Sequence, residues 1–578
     1  DQPGPLPPAR LVVPCNPSEQ MPAPSSYPKF TVTTPGGVEI DVPFGTRYGE
    51  LLKREEYPAH ADGLPPLAVK VNGAIQPLAR RVDINCTLEP VYGDSKHGAD
   101  VYRKSLSYIV PIAARRVFPG RRMIISHSLG HCYFFYFEDK VALTTEQTES
   151  LRNEVKAIVA EDTPIDCKKI SQPEAQAYFK KHGMLQTLEL LQQTNNSTVW
   201  VDQCMESLDI HHFPLVERTG LLDVHALEAH EYGFVLVYPS HHNPTVVPEF
   251  RANPLTFSIY DEYTNWGRIL KVPSVGALNR ITVNREVNDF VFMCETLQDK
   301  KISSIASQIT ADKRIVLIAG PSSSGKTTFS LKLSTHLRCK GLNPVTLCMD
   351  NYYVNRVNTP LDKDGKYDFE HVEAIDIPLF NQQLSALCRG EKVITPIFDF
   401  QTGTRKEGPA MQLEEGGIIV CEGIHGLNPR LSEQVAPEHK FKIFISPLTM
   451  LNIDDHHRIS TTNNRLIRRI VRDNQFRGHS PEATINMWPS VGRGEEKWIF
   501  PHQYQADVYM NSALDYELGV LAGYVTPLLH AVPPTSSAYT KARTLLNFLS
   551  LVQTIPETAV PMHSILREFI GRSAFHGN

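Results

Sequence analysis

The stretch RIVLIAGPSSSGKTTF, residues 314–329, joins an apolar run to a glycine-rich turn and then to a segment able to open a helix. Few folds accommodate it. Ile315–Ala319 has the unbroken apolar character of a strand covered on both faces, and 327–337 carries helical apolar spacing. Between them Gly320, Pro321, Ser322, Ser323, Ser324, Gly325, Lys326 and Thr327, with Thr328 behind, fit G-x-x-x-x-G-K-[ST]. Glycine at 320 and 325 lets the backbone turn where a Cβ would obstruct it, so successive N–H groups can converge on phosphate oxygens. The helix directs the positive end of its dipole at the same anion. Lys326 is placed to reach the β- and γ-phosphates, and the Thr327 hydroxyl to ligate Mg²⁺. ATP with Mg²⁺ is therefore the expected ligand.

This unit sits in a longer alternation of strands and helices. Segments 344–349, 417–421, 440–445 and 506–510 are strand-like, which predicts a parallel sheet with helices on both faces over residues 311–540. Ligands bind such sheets at the C-terminal strand ends. Asp350 follows the second strand and Glu422 the third. A carboxylate at 350 can accept a hydroxyl proton or bind Mg²⁺; the plainer reading is a helix cap. Glu422 can orient Mg²⁺ or its water, or be a turn residue. Arg465, Arg468, Arg469 and Arg472 share one helix face, and Arg477 follows beside Gly478. Such a face is either solvated or a lid that neutralises charge on a phosphoryl group in transfer. With only Asp473, Asp454 and Asp455 near in sequence to pair with it, the lid is favoured.

A chain of 578 residues predicts about three or four domains. The net charge of -5 argues against an overall electrostatic grip on nucleic acid or membrane, leaving room for a local basic patch. The cysteines are scattered without a C-x-x-C pair, which suits free thiols in a reducing, cytoplasmic setting. No apolar run approaches the ~18 residues of a membrane span.

Ahead of the loop the pattern changes repeatedly. Residues 1–27 are proline-rich and aperiodic, which predicts a disordered lead-in. Over 28–95, alternating segments at 30–33, 38–42, 67–71, 75–78 and 88–91, with a helical piece at 48–53, predict a small β-grasp module. The segments VNGAIQPL from Val71 and DINCTLE from Asp83 resemble the TGS domain of threonyl-tRNA synthetase. That implies either a structural module or an RNA-binding one. Residues 96–240 begin with helical spacing at 99–114. His127 and His131 then stand four apart, a spacing that on a helix places both imidazoles on one face in zinc-ligand geometry. This region resembles the editing, or second additional, domain of threonyl- and alanyl-tRNA synthetases. In that family an H-x-x-x-H pair combines with a later C-x-x-x-H pair; here Cys204 is followed by His211 and His212 instead. His127 and His131 are thus candidate zinc ligands, the alternative being a retained fold with a vestigial site. Residues 241–310 read as a connector with a long amphipathic helix at 287–309, and 541–578 as a helical tail.

Within 311–540 the motifs MDNYY at 349, YDFEH at 367, PIFDF at 396, CEGI at 421, RRIVRD at 468 and QAD at 505 follow the glycine loop in order. Together they resemble the uridine kinase branch of the uridine kinase and phosphoribulokinase family. The resemblance implies that Asp350 activates a nucleoside 5′-hydroxyl. It places Tyr353 and Glu370 near the sugar, and Arg468, Arg472 and Arg477 on a lid over the phosphates. The family presents a tyrosine, and a histidine five residues later, to a pyrimidine; Phe398 and Gly403 hold those places here. The expected whole is a multidomain chain, α+β at the N-terminus and α/β in its kinase part. Its expected activity is ATP-dependent phosphoryl transfer to a small hydroxyl acceptor, foremost a nucleoside. The alternative is an RNA- or tRNA-binding protein whose ATP domain is a switch. Oligomeric state stays open.

Overall fold

The strand Ile315–Ala319 is buried along its whole length. The computed structural model describes residues 28–575 other than 131, 195, 253 and 364, with backbone only at 254–256. The expected lead-in 1–27 and His131 lie outside the described residues. Ile315–Ala319 is the middle of a five-stranded sheet. Gly417–Glu422 and then Asn343–Cys348 lie on one side, Lys440–Ser446 and then Val508–Asn511 on the other. Every pairing in it is parallel. Side chains alternate between the two faces of a strand. Val316 and Ile318 accordingly pack on Phe329, Leu333 and Leu337 of helix Lys326–Cys339 and on Ile302 and Ile305 of helix Val287–Gln308. Ile315, Leu317 and Ala319 pack on Phe380, Leu384 and Leu387 of helix Ile377–Cys388 and on Ile259 and Tyr263 of helix Pro254–Leu270. This double covering explains the unbroken apolar run. It also brings the C-terminal ends of three neighbouring strands together, and the glycine loop, Asp350 and Glu422 with them.

Residues 29–92 form a five-stranded sheet in the order Glu39–Pro43, Lys29–Thr33, Cys86–Tyr92, Pro66–Val71, Ala74–Gln76. Its core is Val32, Val42, Leu51, Val69 and Leu88. Helix Lys96–Val117 follows, and then a four-stranded and a three-stranded antiparallel sheet.

The helical geometry expected for His127 is absent. Met123–Ser128 and Cys132–Phe137 are antiparallel strands, so His127 stands on a β-strand. The alternation of burial along MIISHS, with His127 facing inward, overrides the fourfold spacing. His127 is buried and its ring stacks on Tyr260 at 3.5 Å, while Nδ1 lies 2.9 Å from the Ser126 hydroxyl. Burial among aromatic rings pushes its pKa well below the usual histidine range. Among the described residues, the clusters with metal-ligand spacing are Cys167, Asp202, His211 and His212, Asp454, His457, and neither contains His127.

The segments expected as connector and tail enter the main core. One apolar cluster joins Phe179 and Leu190, Val275 and Phe290, Leu466 and Ile470, and Leu545 and Phe569. Among the described residues no helix is long and apolar enough to cross a membrane.

Candidate active site

The loop is shaped by two left-handed positions, Ser323 at φ 61° and Gly325 at φ 83°. They curl the main chain so that its amides face inward. Gly320 is required by proximity: a Cβ there would lie 2.1 Å from the Ile445 carbonyl oxygen. The Lys326 ammonium donates to the carbonyls of Gly320 at 3.1 Å and Pro321 at 3.2 Å. The Thr327 hydroxyl donates to Glu422 Oε1 at 3.1 Å, so the two expected metal ligands are in contact. Burial and the neighbouring Asp350 carboxylate push the Glu422 pKa up to about 7. Asp350 Oδ1 and the hydroxyls of Ser323, Ser324 and Thr328 are buried without a hydrogen-bond partner. Unpaired buried polar atoms are costly, and Ser323, Ser324 and Asp350 among them line the cavity at the loop.

Helix Thr461–Phe476 carries the arginines, and it sorts them into two sets. Arg465 is paired with Glu495 and donates to the Ser322 carbonyl at 2.9 Å. Arg468, the expected lid residue, is fully buried. It pairs with Glu517 and donates to the carbonyls of Ser512 at 3.0 Å and Ser323 at 3.3 Å. The structure therefore does not bring Arg468 into the cavity; it braces the loop from behind. The expected shortage of acids is corrected as well, because Glu495 and Glu517 come from distant segments. Asp454 pairs with His212 and His457, and Asp455 with Arg122.

The second set gathers on Asp473, whose side chain is fully buried. Arg469 lies 3.1 Å from it, Arg472 3.0 Å and Arg477 3.7 Å. One carboxylate thus faces three guanidiniums. Repulsion from Arg472, with burial, pushes the Arg477 pKa down to about 10. The excess positive charge is directed at the loop, where Arg469 also donates to the Ser322 hydroxyl at 2.8 Å.

Two contiguous cavities meet here. One of about 270 Å³ is lined by Ser323, Ser324, Gly325, Lys326 and Thr327 with Asp350, Glu422, Arg472 and Arg477. The other, of about 200 Å³, is lined by Tyr353, Glu370, Phe398, Arg356 and Arg469, and it shares Lys326, Asp350, Arg472 and Arg477 with the first. In the second, Tyr353, Phe398 and Phe400 form an aromatic wall, with centroids 5.6 Å and 5.1 Å apart. The Tyr353 hydroxyl is already donated to the Phe369 carbonyl at 3.1 Å. Glu370 has one buried oxygen without a partner. Burial and the nearby Glu495 push its pKa up to about 7. At Gly403, with φ 70°, a Cβ would meet Arg356 Nε at 2.7 Å, so that guanidinium occupies the space a side chain there would need.

Sequence reasoning placed Arg469 on the lid face but missed Arg356 as a cavity residue, and it did not connect the tail with the cavity. Arg567, Glu568, Gly571, Arg572 and Ser573 complete the lining of the first cavity. Glu568 accepts from the Thr328 amide at 3.0 Å, and Ile565 Cγ2 lies 2.6 Å from where a Gly325 Cβ would stand. No local pattern in the tail advertises this. Its signal is only that an apolar segment so far from the loop must be buried somewhere.

Residues 315–518 match the Phosphoribulokinase / Uridine kinase family. Uridine kinase of Ureaplasma parvum serovar 3 is 30% identical over 197 residues, which is 34% of this chain and 86% of that protein. Uridine kinase of Lactobacillus johnsonii is 31% identical over 195 residues, 34% of this chain and 84% of that protein. Threonine--tRNA ligase of Nitratidesulfovibrio vulgaris is 29% identical over 155 residues, 27% of this chain but only 24% of the ligase. The likeness to the uridine kinases lies in the C-terminal kinase region, and that to the ligase over the N-terminal region. The chain belongs to the phosphoribulokinase and uridine kinase family, with its kinase part fused behind a threonyl-tRNA-synthetase-like N-terminal region.

Proposed function

We propose that this protein transfers the γ-phosphoryl group of ATP to a hydroxyl of a small acceptor, foremost a nucleoside. The observation that carries the reading is the position of Lys326 and Asp350 on the shared walls of the two cavities. ATP occupies the loop side and the acceptor the aromatic side. Asp350, with its unpartnered buried oxygen, accepts the acceptor's proton as the hydroxyl oxygen attacks the γ-phosphorus in line. The bond from the γ-phosphorus to its bridging oxygen breaks, and ADP leaves. Lys326, Arg469, Arg472 and Arg477 offset charge on the transferring group; three of these cations share one carboxylate, so positive charge is left for the phosphates. The contact of Thr327 with Glu422, both oxygen donors, fits a hard divalent cation. Mg²⁺ held there would neutralise the β- and γ-oxygens. Glu370 faces the acceptor hydroxyls, and the rings of Tyr353 and Phe398 stack on its planar part.

An ATP-consumption assay against a panel of nucleosides, with a control lacking acceptor, tests this. Acceptor-dependent turnover abolished by Lys326→Ala in a folded protein is the expected result. Equal ATP consumption with and without acceptor would leave an ATPase switch as the better reading. The likeness of the N-terminal part to a tRNA ligase supports that second role, with RNA as partner. Filter binding to total tRNA at low salt, with and without ATP, checks it, and absence of salt-sensitive binding removes it.

A further inference from the structure

A second cavity system lies away from the phosphate loop and shares no lining residue with it. Its volume is about 570 Å³, within the range of small-molecule sites. Four parts of the chain wall it: the N-terminal module through Gln76 and Arg80, the editing-like region through Lys104 and Trp200, the kinase part through Arg458, and the tail helix Tyr539–Leu549 through Lys541. Six lysines and arginines line it, namely Arg80, Arg103, Lys104, Lys169, Arg458 and Lys541, against a single carboxylate, Asp100. Asp100 is engaged by Arg103.

Among the described residues none of the other five cations forms an ion pair, and Asp100 is the lining carboxylate that acts on Lys104 and Lys541 as well. Lys104 makes no hydrogen bond or ion pair among the described residues; its ammonium lies 5.0 Å from the Phe213 ring centre. Among the described residues Lys541 donates only to the Asn463 side-chain oxygen, at 2.8 Å. Arg458 donates to the Ser126 carbonyl at 3.0 Å and covers the Tyr133 ring. Burial lowers the pKa of both Lys104 and Lys541. Cations held partly out of water without an anion are unfavourable, and an anionic ligand relieves that cost. Trp200, with Arg80 at 4.4 Å and Lys169 at 5.1 Å from its ring centre, and Phe213 also line the cavity.

We propose that this cavity binds a phosphate-bearing small molecule of the nucleotide class, its phosphate on Lys104, Lys541 and Arg458 and its ring against Trp200 and Phe213. A cavity of about 570 Å³ bounded by four segments is of a size for one nucleotide. A net charge of -5 also gives the chain no overall phosphate-tracking character. The site touches the kinase part directly, because Ser460 and Asn463, at the start of the arginine helix, line it.

The probe is AMP, titrated calorimetrically into full-length Lys326→Ala protein so that the phosphate loop is disabled. Saturable binding is expected. Lys104→Met and Lys541→Met together, which keep aliphatic stems in place, should weaken it at least about tenfold with the thermal melt retained. Adenosine, lacking the phosphate, should bind at least about tenfold more weakly than AMP. A readout free of substitutions is acetylation of Lys104, mapped by mass spectrometry on the Lys326→Ala protein: AMP should protect it. The proposal is overturned if AMP neither binds nor protects Lys104, if the double variant binds AMP unchanged, or if a short RNA binds the cavity while AMP does not.

Discussion

The main-chain N–H of Thr328 donates to the side-chain carboxylate of Glu568 at 3.0 Å. Thr328 lies in the first turn of the helix behind the phosphate loop, where orphan amides and the helix dipole attract anions. The tail thus sets a carboxylate where a phosphate oxygen of a bound nucleotide would find its donor. Replacing Glu568 with Ala removes that competing charge. ATP affinity, measured by calorimetry, should rise about two- to tenfold, the span of a charge at a helix N-terminus.

Arg468 and Arg472 lie on the same helix yet predict opposite phenotypes. Arg468→Met leaves Glu517 buried without its partner, a loss of about 3–5 kcal/mol. It should appear as a sharply lowered melting temperature. Arg472 is partly exposed to the cavity, and its carboxylate keeps two other guanidiniums. Arg472→Met should melt close to wild type while kcat falls about a hundredfold or more.

Glu370 titrates near neutrality because burial and Glu495 disfavour its charge. Its carboxylate form accepts a hydrogen bond from an acceptor hydroxyl, and protonation fills that oxygen. Acceptor kcat/KM should therefore be high above pH about 7 and fall as the pH drops through that value. Glu370→Gln should flatten this limb of the pH profile and lower the plateau.

The acceptor cavity has Phe398 in its aromatic wall, and the backbone at Gly403 is closed over by Arg356. Neither place offers a side chain that distinguishes the uracil edge from the cytosine edge. A site lacking such hydrogen bonds discriminates weakly. Uridine and cytidine should differ in kcat/KM by less than about tenfold, measured in the same ATP-coupled assay.

Much of the kinase part was legible in the chain. The apolar run at Ile315–Ala319, the glycine spacing and the carboxylates after the second and third strands obey local rules of period and turn chemistry. They placed the loop, Thr327, Asp350 and Glu422 at the same edge of the parallel sheet. The helical placement expected for His127 failed on the same kind of rule: a fourfold spacing signals one face only on a helix, and Met123–Ser128 is a strand.

Sequence by itself determined the fold of the nucleotide domain, its family and the identity of the loop residues, because those depend on neighbours within a few positions. Tertiary structure alone decided which arginines face the cavity. Arg468 and Arg465 turn inward to Glu517 and Glu495, while Arg469, Arg472 and Arg477 gather on Asp473. Structure also decided that the tail lines the loop cavity and that four segments meet around a cationic one. The physical reason is that charge pairing and burial depend on distance in space, and residues far apart in the chain carry no mark of which partner they will meet.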